Sequence, residues 1–203
     1  MAAPKIANIT VDGGINVFYR TAGDATKPVF LLLHGFPSSS HQYRNLIPLL
    51  SHKYHVIAPD FPGFGFTSVP DDRQYQYTFA NLAKTTAAFL DGLKISKFAV
   101  YIFDYGAPVA LRLALERPND VTAIVTQNGN AYVEGLGAFW DPIKAYWASN
   151  SSEDRENLRE NVLSFAATEW QYVNGNPTPG VVPPETYNLD YSLMSRPNNK
   201  DIQ

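Results

Sequence analysis

Apolar residues along the chain fall into two kinds of pattern. "VFLLL" (29–33), "YHVIAP" (54–59), "FAVYIF" (98–103) and "VTAIVT" (121–126) are short continuous runs, as expected of strands buried on both faces. Between Phe79 and Leu93 the positions Phe79, Leu82, Ala83, Thr86, Phe89, Leu90 and Leu93 repeat at spacings of three and four, which gives one buried helical stripe. Residues 108–117, "PVALRLALER", open on Pro108, a residue suited to a first helical turn because its missing N–H would be unpaired there. Ahead of these, "IANITV" and "INVFYR" are joined through Gly13-Gly14 and predict a hairpin. Strands alternating with helices imply a mostly parallel α/β sheet with right-handed crossovers.

After Asn130 the texture becomes helical and rich in aromatics. "WDPIKAYW" offers Asp141 as N-cap with Pro142 at the first helical position. "SSEDRENLRENVLSFAATEWQYV" follows, with Ser151 and Asp154 in capping-box spacing and a stripe of Leu158, Val162, Phe165 and Tyr172. A Pro/Gly-rich connector occupies 174–185. Residues 1–130 read as a sheet core and 131–203 as a helical layer inserted over it.

Composition narrows the chemistry. The 203 residues are 45% hydrophobic and 17% charged, with a net charge of −3 and no Lys/Arg cluster, which favours neither nucleic acid nor an anionic membrane. The absence of cysteine excludes disulfides, thiolate chemistry and Cys-based metal sites. No secretory leader and no membrane span is read, so a cytoplasmic protein is expected. No ligand-spaced His/Asp/Glu cluster and no G-x-G-x-x-G between strand and helix is present, so neither metal nor organic cofactor is implied.

The candidate chemistry lies in "VYIFDYGAP" (100–108), where Asp104 sits between a strand and a helix. Ligands of open α/β sheets bind beyond the carboxyl ends of the strands. A sharp strand-to-helix turn lifts its apex residue clear of the sheet, and the closeness of strand and helix requires small residues behind it, here Gly106 and Ala107. This is the form of a nucleophile elbow with Asp where serine is usual. The competing reading, Asp104 as a simple helix cap, loses weight against "HGFP" (34–37), which follows the first long buried strand. That loop, His34-Gly35-Phe36-Pro37, can aim a backbone N–H at a ligand, and the amides of Phe36 and Tyr105 would form an oxyanion hole.

Together with "PDFPGFGFTS" (59–68) and "QNGNAYVEGL" (127–136), these segments resemble the α/β-hydrolase family. The likeness is to its Asp-nucleophile branch of epoxide hydrolases and haloalkane dehalogenases, and it runs from about Ile6 onward. The resemblance implies attack by Asp104 on an epoxide or halogenated carbon, an alkyl ester, and hydrolysis of that ester by water activated by a His–acid pair. It also implies a helical cap over a small apolar organic substrate. Haloalkane dehalogenases commonly carry Asn at the Phe36 position, where epoxide hydrolases often carry an aromatic residue, so the epoxide hydrolase side is favoured; both usually have Trp where this chain has Tyr105. Cap tyrosines, Tyr146, Tyr172, Tyr187 and Tyr191, are candidate proton donors; Trp140, Trp147, Trp170 and Phe139 are candidate pocket walls.

None of the histidines, His34, His41, His52 and His55, lies where the resemblance puts the base, and the acid and two further core strands have no counterpart. The expectation is therefore a fragment of a longer chain whose acid and histidine lie beyond Gln203. A catalytically incomplete binding or interaction protein on the same fold is the alternative, and a complete enzyme with an unrecognised base a third reading. A serine esterase is disfavoured by the Asp apex. The run 121–126 would be left as an apolar edge, making self-association an expectation.

Overall fold

The computed structural model describes residues 4–178 and 180–203. The chain divides into two compact units, one ending at Ala131 and the other spanning Tyr132–Gln203.

The first unit is built on six strands: β1 (Lys5–Val11), β2 (Ile15–Ala22), β3 (Val29–Leu33), β4 (His55–Pro59), β5 (Phe98–Phe103) and β6 (Val121–Gln127). Their order across the sheet is β1-β2-β4-β3-β5-β6. β1 and β2 form the hairpin, Val11 opposite Ile15, and β2 runs antiparallel to β4. β3, β4, β5 and β6 are mutually parallel.

The continuous apolar runs are explained by cover on both faces. Leu31, Leu33, Ile57, Val100 and Ile102 point to one face, where α2 (Phe79–Gly92) and α3 (Gly106–Glu116) supply Leu82, Phe89, Leu90, Val109 and Leu113. Phe30, Leu32, Val56 and Ala58 point to the other, where Tyr43 and, on the short helix α1 (Leu46–Leu50), Ile47 meet them. Side chains of a strand alternate between faces, so β3 must be apolar at every position to satisfy both layers. β6 is an edge strand, with Ile124 43% and Val125 45% exposed.

The helices depart from the sequence pattern in three places. A 3-10 turn at Ser40–Tyr43 precedes α1. α3 begins two residues before Pro108, at Gly106. In the second unit the stripe from Leu158 to Tyr172 is broken into α5 (Ser152–Asn161) and α6 (Phe165–Val173), because Ser164 turns extended and its hydroxyl accepts the Ala167 N–H as a new N-cap. Asp141 is the first residue of α4 (Asp141–Ser149), whose N-cap position is Trp140. Ser151 does cap α5, accepting the Asp154 N–H at 3.1 Å. α7 (Pro184–Met194) and α8 (Asn199–Ile202) complete this unit. Among the described residues no helix is long and apolar enough to cross a membrane.

Candidate active site

Chain direction locates the site. From the carboxyl end of β3 the chain leaves toward the α1 face, and from that of its neighbour β5 it leaves toward the α2/α3 face. A crevice opens where neighbouring connections part to opposite faces. Two loops meet there: His34–Ser38 after β3, and Asp104 after β5.

Asp104 has a φ of +47°, left-handed backbone in a non-glycine residue. That conformation costs roughly 1–2 kcal/mol and Asp tolerates it better than most. The turn persists because its surroundings fix it. The Phe36 N–H donates to Asp104 Oδ1 at 2.7 Å, and a Tyr105 backbone hydrogen bond also reaches the carboxylate. Hydrogen bonds to a charged group contribute about 1.5–3 kcal/mol each, enough to offset the strain. Burial pushes the Asp104 carboxyl above its ordinary range, with the two amide bonds pulling the other way. A carboxylate with little water around it has less hydration to shed before it attacks carbon.

The small residues are required by contact. A Cβ at Gly106 would stand 2.9 Å from the Leu33 carbonyl carbon and closer still to its oxygen, so α3 could not start so near β3 with any other residue. A Cβ at Gly35 would stand 2.6 Å from Asp104 Oδ1. The Phe36–Pro37 peptide bond is cis.

His34 is fully buried and supports the loop. Its Nδ1–H donates to the Gly35 carbonyl and its Nε2 accepts the Phe61 N–H, both at 3.0 Å, so the ring is held as the neutral Nδ1 tautomer. Phe61 and Phe64 pack on it, with centroids 4.5 and 5.4 Å away. Burial lowers its pKa to about 4. An unfolded histidine binds a proton below about 6.5 while the native one does so only near 4, so His34 withdraws stability as the pH falls through that window, roughly 3 kcal/mol in all. Asp60 and Asp104, both raised by burial, act in the opposite sense. The expected result is therefore a difference: in urea unfolding, the stability advantage of the protein over His34→Asn shrinks by about 3 kcal/mol between pH 7 and pH 4. An advantage constant with pH would show that His34 is not held neutral.

Beside the carboxylate stands an aromatic wall. Tyr105 has Phe79, Phe64 and Phe36 around it at 5.0, 6.0 and 6.1 Å. Burial, then the Asp104 charge, pushes the Tyr105 phenol up to about 12, keeping it protonated.

His55 and His52 lie far from Asp104. His55 starts β4 and contacts Thr21 at 3.2 Å, at the amino ends of the parallel strands and a strand length away, roughly 15 Å. His52 is exposed near that same end, where its carbonyl accepts from Lys27. His41 lies in the 3-10 turn with its amide on Ser39.

The candidate residues of the second unit make contacts within it. Tyr146 accepts from Arg155 Nε at 3.2 Å, Tyr172 donates its proton to Asp190, and Trp140 lies 6.0 Å from Trp147. Among the described residues no group of three or more His, Cys, Asp or Glu side chains could hold a metal ion.

Two supporting residues escaped the sequence reading. Tyr43 donates to the Leu33 carbonyl at 2.7 Å, holding the end of β3. Asp60, 1% exposed, accepts the Ser40 N–H at 2.7 Å and the Phe66 N–H at 2.8 Å. Its signal was the "PDFPGFG" string, in which an Asp beside Pro and Gly reads as an ordinary turn former.

The chain is similar to known proteins. A family model described as the alpha/beta hydrolase fold matches residues 28–171. An uncharacterized hydrolase of Saccharomyces cerevisiae is 50% identical over 202 residues, which is 98% of this chain and 69% of that protein. A haloalkane dehalogenase of Bradyrhizobium diazoefficiens is 37% identical over 111 residues, 55% of this chain and 35% of the other. Among solved structures, DBJA superposes with a TM-score of 0.79 at 25% identity, covering 97% of this chain and 66% of that one. A Pseudomonas aeruginosa protein provisionally designated an epoxide hydrolase gives a TM-score of 0.79 at 21% identity, covering 98% and 67%. The chain thus spans about two thirds of the length of the relatives it matches from end to end, and about one third of the dehalogenase. With its strand order, its elbow at the switch point and a family match over most of its length, the chain belongs to the α/β-hydrolase fold family.

Proposed function

We propose that Asp104 is the nucleophile of a hydrolase that passes through an alkyl-enzyme ester, acting on an epoxide in preference to a halogenated carbon. The observation that carries the reading is the Asp104 carboxylate at a left-handed elbow, with one oxygen on the Phe36 amide at 2.7 Å.

The chemistry follows from that bond. Oδ2 attacks the epoxide carbon and the carbon–oxygen bond breaks, its electron pair going to the departing oxygen. Oδ1, on the Phe36 amide, becomes the carbonyl oxygen of the new ester. Water that has given its proton to a His–acid pair then adds to the Asp104 Cγ. The oxyanion that forms on Oδ1 is already held by the Phe36 N–H, and the Tyr105 amide, which also reaches this carboxylate, is the second donor. Collapse breaks the Cγ–Oδ2 bond, Oδ2 takes the proton back from the His–acid pair and leaves in the diol, and the Asp104 acid loses its own proton to become a carboxylate again. The acid and histidine are proposed to lie beyond Gln203, a reading supported by relatives about half as long again as this chain and by the placement of His34, His52 and His55.

The preference for an epoxide rests on the group beside the nucleophile. An epoxide oxygen leaves as a strongly basic alkoxide and needs a proton, which a phenol held at about 12 can give. A halide leaves as a weak base and needs only a donor to lean on. Tyr105 is proposed as that acid, with Phe36, Phe64 and Phe79 as the apolar wall for a small organic substrate. The test compares an aryl epoxide with a primary bromide of matched skeleton by the rate at which Asp104 becomes alkylated. The epoxide is expected to react faster, and Tyr105→Phe to slow it roughly 100-fold while changing the bromide little. A bromide that outruns the epoxide would place the protein with the dehalogenases.

A further inference from the structure

We propose that Asp60 is a positioning residue for the Asp104 reaction: by gripping the Ser40 and Phe66 amides it fixes the loop between β3 and α1 so that the Phe36 N–H stays on the nucleophile. The inference rests on Asp104 being the nucleophile, as proposed above.

Asp60 sits at the end of β4, next to β3, and is 1% exposed. Its own backbone is fixed twice, its N–H donating to the Phe18 carbonyl at 2.8 Å and its carbonyl accepting the Thr67 hydroxyl at 2.7 Å. The carboxylate is thus a rigid post. Its Oδ1 takes the amide of Ser40, the first residue of the 3-10 turn that ends the 34–39 loop. Its Oδ2 takes the Phe66 amide, and Gly65, at φ +52°, lets the backbone wrap it: a Cβ there would stand 2.8 Å from the Ser39 Cβ and closer to Oδ2. Six residues before Ser40, His34 pins the other end of the same loop to the Phe61 amide. Phe36 lies between these two anchors, and both lead back to the 60–66 segment.

A buried carboxylate is costly to keep, and this one makes no salt bridge among the described residues. The charged and titratable groups around it are Arg20 on β2 with Arg44 beyond, and neutral His34. Around Asp104 they are the phenols of Tyr105 and Tyr43. Two well-made amide bonds at the far end of the loop are the return on that cost, and a neutral side chain could not accept both. In Asp60→Asn one oxygen becomes an NH₂ facing an amide donor. The loop then loosens, the Phe36 N–H drifts from Oδ1, and Asp104 loses a group that favours its charged form.

The experiment uses the protein expressed from its complete coding sequence, an aryl epoxide as probe, and rapid-quench mass spectrometry of the Asp104 ester across pH. The second-order rate constant for ester formation falls on the acid side as Asp104 is protonated, and its midpoint is the readout. In Asp60→Asn that midpoint is expected to rise by about one unit, with at least a tenfold slower rate at a pH below it. Ser40→Pro attacks the link from its other side: it removes the donor at a first helical position, where proline is tolerated, and Ser39 before it is already extended at φ −154°, ψ −167°. It is expected to shift the midpoint in the same direction. Phe98→Leu, a core change at the amino end of β5 and a strand length from Asp104 and Asp60, controls for lost stability and should leave the midpoint where it is. Folded variants of Asp60 and Ser40 that keep the original midpoint would overturn the positioning role. No ester on Asp104 in the unaltered protein would instead overturn the nucleophile reading itself.

Discussion

Asp104→Asn is expected to take no covalent label from an electrophilic substrate while folding at least as well as the parent chain. Asn adopts left-handed backbone as readily as Asp, so the +47° elbow is retained. Its amide oxygen can still accept the Phe36 N–H. What it lacks is the negative charge, and with it both the nucleophile and the desolvation that raises the Asp104 pKa. The rate of ester formation should fall by at least roughly 10⁴-fold, while the melting temperature holds or rises, since removing a buried charge relieves strain kept for function. Intact mass after incubation with an epoxide reads the first effect and calorimetry the second. A variant that lost both label and fold would make Asp104 a structural cap.

The second large effect is steric. Gly106→Ala places a methyl group within 2.9 Å of the Leu33 carbonyl carbon, and backbone on both sides has nowhere to move. Overpacking of this kind costs about 3 kcal/mol, which in a chain of this size lowers the melting temperature by roughly 10 °C. Leu115→Ala on the same helix removes a larger side chain, yet Leu115 is 83% exposed and the change should stay within about 0.5 kcal/mol. If both variants melted alike, the close approach of α3 to β3 would not be what demands the glycine. Loss of activity in Gly106→Ala should exceed its loss of fold, because the same displacement moves Asp104, two residues earlier.

Much of the first unit was legible because its physics is local. β3, β4 and β5 announce themselves as uninterrupted apolar runs, since each of these inner strands must satisfy a layer on either side; β6 carries the same kind of run but stands exposed at the edge. The elbow was legible for a related reason: a charged residue at a strand end followed by two small ones has few other uses. Asp60 was not, because its task depends on amides 20 residues earlier and 6 later, a distance in sequence that no local pattern encodes. The break between α5 and α6 was hidden because the apolar stripe runs straight through it. Helical spacing records which face is buried, and Ser164 could stop the helix without disturbing that spacing. Of the histidines, sequence could place His34 in the loop but not reveal that both ring nitrogens are occupied there.

The central claim is that Asp104 attacks carbon itself instead of activating a water that does. Single turnover of an epoxide in ¹⁸O water, with the protein expressed from its complete coding sequence and in excess over substrate, separates the two. Attack by Asp104 predicts that the new oxygen of the diol is ordinary ¹⁶O taken from the carboxylate, and that the peptide containing Asp104 gains one ¹⁸O. A diol carrying ¹⁸O with an unlabelled Asp104 would contradict the account, because water would then have reached the substrate without passing through the enzyme.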